Sequence, residues 1–286
     1  MNTTEFLTIT AAIVPDRPAI ILAGLGIKKG DRVAILQVNC NEYYEAYYGT
    51  AKLGAVFVPL NFRAKGEEIS YMLNNAEANL LLVGERYVDL VNGIKNTIPT
   101  VKQFICIEAK PKGWLNYNEL LAKASPDEVF SEIGDDDLTI LMYTAGTTGR
   151  PKGVPQRHTM FTTYVLGNVD PADPERAETN ILTVPLYHVA GAQAMLAATY
   201  GGRTLAMMRQ FEVNEWMETV RKEKATRAML VPTMLKRVID HPDFKKFDLS
   251  SLKVITYGAA PMPFEVIKKA IEVFPGVMFI NAFGQT

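Results

Sequence analysis

The stretch Leu138-Thr-Ile-Leu-Met-Tyr-Thr-Ala-Gly-Thr-Thr-Gly-Arg-Pro-Lys-Gly-Val154 decides the reading of this chain. Leu138, Ile140, Leu141, Met142 and Tyr143 form a short apolar run whose length and flanks predict a buried strand. The run empties into Thr144-Ala-Gly-Thr-Thr-Gly149, a loop of small residues and hydroxyls. Glycines at 146 and 149 let backbone N–H groups turn inward, and successive inward amides form a nest for phosphate oxygens. Thr144, Thr147 and Thr148 add hydroxyl donors, and Lys152 adds a compact positive charge. Pro151 fixes its own φ, which predicts that the lysine sits on a stiffened arm. The chemistry of the loop is that of a polyphosphate cradle.

Gly146 and Lys152 have the separation of a Walker A loop, but Pro151 stands where that motif needs its second glycine. Gly153 stands where it needs the Mg²⁺-binding hydroxyl. A Walker-type nucleoside triphosphatase is therefore disfavoured.

Working outward, 286 residues with 48% hydrophobic side chains allow one large domain or two modest ones. Thirty Lys and Arg nearly balance 31 Asp and Glu, so no basic field invites nucleic acid. Cys40 and Cys106 lie in apolar stretches without metal spacing, which fits core packing in a reducing cytoplasm. The segment Phe6–Val14 is too short for a membrane span and lacks a basic lead-in, so neither a span nor a signal peptide is expected.

Strands are predicted at 32–38, 55–60, 79–83 and 103–107, with helices at 41–53, 67–74 and 87–92 between them. The stretch 111–137, rich in Pro, Gly and acids, reads as a connector. Its Asp135-Asp-Asp137 triplet reads as a solvated cap, because adjacent carboxylates on an extended chain face different ways. Beyond the loop, helices are predicted at 158–166, 192–200, 213–224, 232–240 and 264–274. Strands are predicted at 180–184, 203–208, 226–231, 252–257 and 277–280. This alternation predicts βαβ units and mainly parallel sheets, an α/β fold. Tyr43, Tyr44, Tyr47 and Tyr48 read as core packing.

Three further stretches carry chemistry. Pro185-Leu-Tyr-His-Val-Ala-Gly191 puts His188 at the end of a buried strand, and in open α/β sheets ligands gather at strand carboxyl ends. Gly258-Ala-Ala-Pro261 is a small-residue turn between strand and helix, against which a flat base can lie. Asn281-Ala-Phe-Gly-Gln-Thr286 closes the chain.

Together with Thr144–Val154, these stretches resemble the adenylate-forming (AMP-binding) superfamily, in its acyl-CoA synthetase branch. The resemblance runs from Pro15 to Thr286. Ala145 stands at a position that is more often serine. The resemblance implies the layered βαβ sheets of the superfamily's N-terminal domain, present here as residues 1–286 and incomplete, with the C-terminal lid domain absent. It implies a ligase that uses ATP, Mg²⁺ and coenzyme A to convert a carboxylic acid to an acyl-adenylate and then to a thioester. Thr144, Gly146, Thr147, Thr148, Gly149 and Lys152 would hold the leaving phosphates. Gly258, Ala259 and Ala260 would take adenine, and Phe283 would stack on it. Asn281 belongs to the same nucleotide motif, Gly284 would pass close to the nucleotide, and Thr286 would reach the α-phosphate. His188, beside Tyr187, would line the acyl pocket, and a histidine among apolar neighbours suits an acid without an amine.

Two departures bear on activity. The Mg²⁺-binding glutamate, the rest of the large domain and the lid lysine would follow Thr286, so this chain by itself is expected to be inactive. A strand–turn–strand piece and much of the first helix are missing between Pro15-Asp-Arg-Pro-Ala19 and Ile21–Val33. The alternatives are a non-catalytic ATP- or AMP-binding fragment, or an adenylation domain that uses another acceptor thiol. Neither the acid nor the oligomeric state is legible. Unpartnered apolar faces predict poor solubility.

Overall fold

A computed structural model describes residues 1–6, 21–124, 131–144 and 149–284. Two compact units follow each other along the chain, residues 1–167 and 168–285, where composition alone left one domain or two open.

The first unit is built on a seven-stranded sheet. Its elements are β1 (Arg32–Leu36), α1 (Asn41–Lys52), β2 (Val56–Pro59), α2 (Gly66–Asn75), β3 (Leu80–Val83), α3 (Val88–Ile94), β4 (Gln103–Cys106), β5 (Leu115–Asn116), α4 (Tyr117–Lys123), β6 (Leu138–Thr144), β7 (Lys152–Arg157) and α5 (His158–Asn168). Strand order is β5-β4-β3-β1-β2-β6-β7. All neighbours pair in parallel except β6 and β7. The central strands read Val-Ala-Ile-Leu and Leu-Leu-Leu-Val because a parallel strand is covered on both faces; Ala34, Ile35, Leu81 and Val83 are fully buried. Tyr43, Tyr47 and Tyr48 are buried, and Tyr43 and Tyr47 meet Phe57 edge-on, as core packing requires. Cys106 is buried in β4, whereas Cys40 is only partly covered; both are free thiols.

Two expectations in this unit are corrected. The connector 111–137 contains β5 and α4, with Asn116 capping α4 by accepting the Glu119 amide at 2.9 Å. A two-residue strand and a polar seven-residue helix leave too little periodicity to read. Residues 152–157 form β7, not an arm. Lys152, Gly153, Pro155 and Arg157 hide its strand character, and proline is tolerated there because β7 lies at a sheet edge. The segment Phe6–Val14 lies mostly outside the described residues.

The second unit carries a five-stranded, wholly parallel sheet of order β12-β11-β10-β8-β9. Its elements are β8 (Thr179–Leu182), α6 (Val189–Tyr200), β9 (Thr204–Met207), α7 (Val213–Glu223), β10 (Arg227–Leu230), α8 (Pro232–Ile239), β11 (Val254–Gly258), α9 (Phe264–Val273) and β12 (Met278–Ala282). Helix α7 shows why the sequence was readable. Val213, Trp216, Met217 and Val220 recur at helical spacing and are all buried against Ile181, Leu230 and Ile255. The Glu212 carboxylate caps its start by accepting the Glu215 amide at 2.9 Å, and Lys224, with φ of 50°, ends it.

Candidate active site

In the first unit the Gly/Thr-rich loop after β6 is carried by an antiparallel hairpin. Thr144 ends β6, Lys152 begins β7, and the two are direct cross-strand partners. The ladder, rather than Pro151 alone, therefore fixes where the lysine leaves the backbone. Lys152 and Arg150 are exposed, and Gly149 adopts φ of 91°, a conformation open to glycine. Gly146, Thr147 and Thr148 lie outside the described residues.

In the second unit all strands run the same way, so their carboxyl ends share one sheet edge. Beyond β8 the chain turns through Pro185–His188 and enters α6. The His188 amide bonds to the Pro185 carbonyl at 3.1 Å, and the His188 carbonyl accepts the amides of Gly191 and Ala192 at 3.0 and 3.1 Å. Tyr187 is buried beside the exposed His188, with ring centroids 4.2 Å apart. The chain moves from β8 to β9 on one side and then returns to place β10 on the other. His188 thus follows a strand that borders the topological switch point, where open α/β sheets bind ligands.

Strands β11 and β12 bring together two motifs more than twenty residues apart. Tyr257 pairs with Asn281, and Gly258 with Ala282. A side chain at Gly258 would sit 2.1 Å from the Ala282 carbonyl oxygen, so only glycine permits this approach. The next residue, Ala259, has φ of 64°, a left-handed conformation that costs a non-glycine residue ~1 kcal/mol and turns the chain sharply out of the sheet. Gly258, Ala259 and Ala260 therefore lie at the strand end beside Ala282, Phe283 and Gly284. Phe283 is 89% exposed, its ring free of the core. Thr286 lies outside the described residues.

The charged groups of this unit cluster elsewhere. Glu178 accepts from Arg203 at 2.8 Å and from Arg227 at 2.9 Å, at the opposite, amino-terminal ends of β8, β9 and β10. Burial pushes the Glu178 carboxyl up, and hydrogen bonds from the two guanidinium groups more than reverse this, leaving it below the usual range. Sequence reasoning missed this triad, and it also missed Tyr71 and Asn75 of α2, which contact Arg150 and Tyr143 on either side of the loop between β6 and β7. No local pattern marks residues so far in sequence from what they hold.

Parallel βαβ layers in both units, with one antiparallel hairpin closing the edge of the first sheet, define an α/β protein of mainly parallel sheets. Residues 16–286 match the family of AMP-binding enzymes, and the chain belongs to that family. It is 32% identical over 280 residues to the long-chain-fatty-acid–CoA ligase FadD13 of Mycobacterium tuberculosis, covering 94% of this chain and 54% of that protein. It is 30% identical to 4-coumarate–CoA ligase 1 of Petroselinum crispum, covering 92% and 49%, respectively. It is 29% identical to the indoleacetate–CoA ligase of Aromatoleum aromaticum, covering 95% and 53%. The chain thus spans about half the length of the curated relatives it matches. The inhibitor-bound N-terminal domain of FACL13 from Mycobacterium tuberculosis superposes with a TM-score of 0.89 at 27% identity, over 99% of this chain and 76% of that one. The mixed α/β architecture is that of the N-terminal domain of acyl-CoA ligases.

Proposed function

We propose that the protein containing this chain activates a carboxylic acid with ATP and passes the acyl group to coenzyme A. The observation that carries the reading is the β11–β12 register, which sets Gly258–Ala260 beside Phe283 at the strand edge where α/β sheets bind ligands. Residues 1–286 then form part of the AMP-binding N-terminal domain.

In this reading a carboxylate oxygen attacks the α-phosphorus of ATP. The bond from that phosphorus to the bridging oxygen breaks, pyrophosphate leaves, and an acyl-adenylate forms. A thiolate then attacks the acyl carbon and AMP leaves. Phosphoryl transfer depends on positioning and charge neutralisation more than on covalent help from the protein. Lys152, with Thr144, Gly146, Thr147, Thr148 and Gly149, takes up the charge developing on the leaving pyrophosphate. Asn281 and Gly284 shape the nucleotide's bed, Phe283 stacks on the base, Gly258–Ala260 receive its edge, and Thr286 orients the α-phosphate. His188 and Tyr187 border the acyl group, which limits the acid to aliphatic, alicyclic or aromatic types without a paired amine. Mg²⁺ bound with the nucleotide would supply further charge neutralisation. Among the described residues no group of three His, Cys, Asp or Glu could hold a metal by itself. Two free cysteines fit a reducing cytoplasm. No helix among the described residues is long and apolar enough to cross a membrane.

Carboxylate-dependent exchange of pyrophosphate into ATP tests this reading. The full-length protein should exchange with at least one acid from those classes, and Lys152→Ala should slow exchange by ~10²-fold, the usual loss of one preorganised donor. No exchange with any acid across the three classes overturns the proposal.

A further inference from the structure

The two stems of the phosphate hairpin are each held by the same turn of α2. On the β6 side, the Tyr143 hydroxyl lies 2.7 Å from Asn75 Oδ1 and 3.1 Å from the Met72 carbonyl oxygen, both acceptors. Burial pushes this phenol well above its ordinary pKa, so it keeps its proton and donates. On the β7 side, the guanidinium of Arg150 stacks over the ring of Tyr71, 5.5 Å from its centroid. Tyr71, Met72 and Asn75 all fall within the last five residues of α2, with Tyr71 and Asn75 one helical turn apart. Tyr143 also spans the hairpin itself. It is the cross-strand partner of Gly153, and a side chain there would press on its ring atoms at 3.3 and 3.4 Å. The glycine beside Lys152 is therefore the seat of the tyrosine ring, and the ring in turn is pinned to α2.

We propose that Tyr71 and Asn75 are positioning residues for phosphate binding: Asn75 fixes the Thr144 end of the hairpin through Tyr143, and Tyr71 fixes the Lys152 end through Arg150. The inference rests on the polyphosphate reading of the loop. Thr144 and Lys152 are cross-strand partners, so a shift of either stem changes the span between hydroxyl and ammonium that a bound phosphate must bridge. Neither residue touches the ligand in this scheme. Arg150 is parked on an aromatic face and adds its charge at a fixed place on the hairpin rather than sweeping freely.

Two readouts on the full chain test it. In the absence of ligand, amide hydrogen exchange at Lys152–Val154 should quicken by about tenfold in Asn75→Ala, the loss of one part-buried hydrogen bond. Arg150→Gln, an exposed change that leaves the core intact, should quicken it by about threefold, the scale of an exposed cation–π contact. Tyr71→Phe and Arg150→Lys keep the ring and the cation, and Asn75→Asp keeps the acceptor, so all three should stay near wild type. Calorimetric affinity for inorganic pyrophosphate should fall in the same order, with the same three rescues. Unchanged exchange in both Asn75→Ala and Arg150→Gln overturns the proposal. So does an equal loss in the rescue variants, which would mark a general structural role. If the wild type binds no pyrophosphate while hairpin exchange responds as expected, the polyphosphate reading fails and the anchoring stands. Should Asn75→Ala unfold, seen as fast exchange in β1 and β3 too, Arg150→Gln alone decides.

Discussion

His158, the residue that joins β7 to α5, shows how one side chain can be set by its surroundings. It is wholly buried, and its Nδ1 accepts the Thr3 amide at 3.2 Å and lies 2.9 Å from the Thr3 hydroxyl. That hydroxyl continues to Tyr47 at 2.7 Å, and Tyr47 to Thr139 at 3.2 Å. Accepting from a backbone N–H requires a neutral ring with its proton on Nε2, and that buried atom has no hydrogen-bond partner among the described residues. Burial drives the pKa down to about 4, against the opposing fields of Asp137 and Asp135. A group depressed on folding stabilises the native state above its unfolded pKa and loses that contribution as pH falls towards the folded value. Stability should therefore decline between about pH 6.5 and 4, by up to ~3 kcal/mol from this residue. Denaturant titrations of the wild type and His158→Gln across that window check it; parallel pH profiles would contradict it. At Gly258, a methyl group would collide with the Ala282 carbonyl, so Gly258→Ala should cost ~1–3 kcal/mol in thermal unfolding and loosen the β11–β12 end. Gly258 was legible as a special position, because a small-residue turn after an apolar strand signals close approach. The partner it approaches was not, since register between strands is a tertiary fact.

At the scale of elements, the strands and helices that bury a whole face were readable. β1, β3, α7 and β11 announce themselves by apolar runs or by helical spacing, and the structure places them within a few residues of expectation. What escaped were elements defined by their neighbours. β7 is a strand because β6 pairs with it, although its own residues are mostly exposed. β5 and α4 are too short and polar to carry a period. The Glu178–Arg203–Arg227 triad is similar: three residues that tie the amino ends of three strands and are adjacent nowhere in sequence. Glu178→Gln leaves two guanidinium groups facing each other, and should lower stability by about 2 kcal/mol while leaving nucleotide binding at the opposite edge unchanged. Because the Glu178 pKa is depressed, the triad contributes fully above the ordinary glutamate range and fades as pH falls through the lowered value. Chemical denaturation of the variant at neutral pH and below pH 4 separates the two cases; an effect that persists undiminished at low pH would contradict the assignment.

At the scale of the whole molecule, the edge of the second sheet is apolar. β12 presents Met278 at 61% and Ile280 at 40% exposure, with Phe283 beyond it and no charged residue from Val277 to Gly284. An uncharged, exposed edge strand is a template for pairing with another chain. The 286-residue chain should self-associate as concentration rises, and Ile280→Lys should shift it towards monomer in sedimentation experiments. Monodisperse monomer at every concentration would contradict this. The division into two compact units, each with its own sheet, was not legible, because strands of both read alike as buried and parallel. Read as chemistry, the motifs of each unit lead to one prediction about bond cleavage in ATP. The most direct measurement is the nucleotide product formed by the full-length protein from ATP, a carboxylic acid and coenzyme A. AMP and pyrophosphate, formed only when the acid is present, are the predicted products. ADP and phosphate, or hydrolysis indifferent to the acid, would contradict the account.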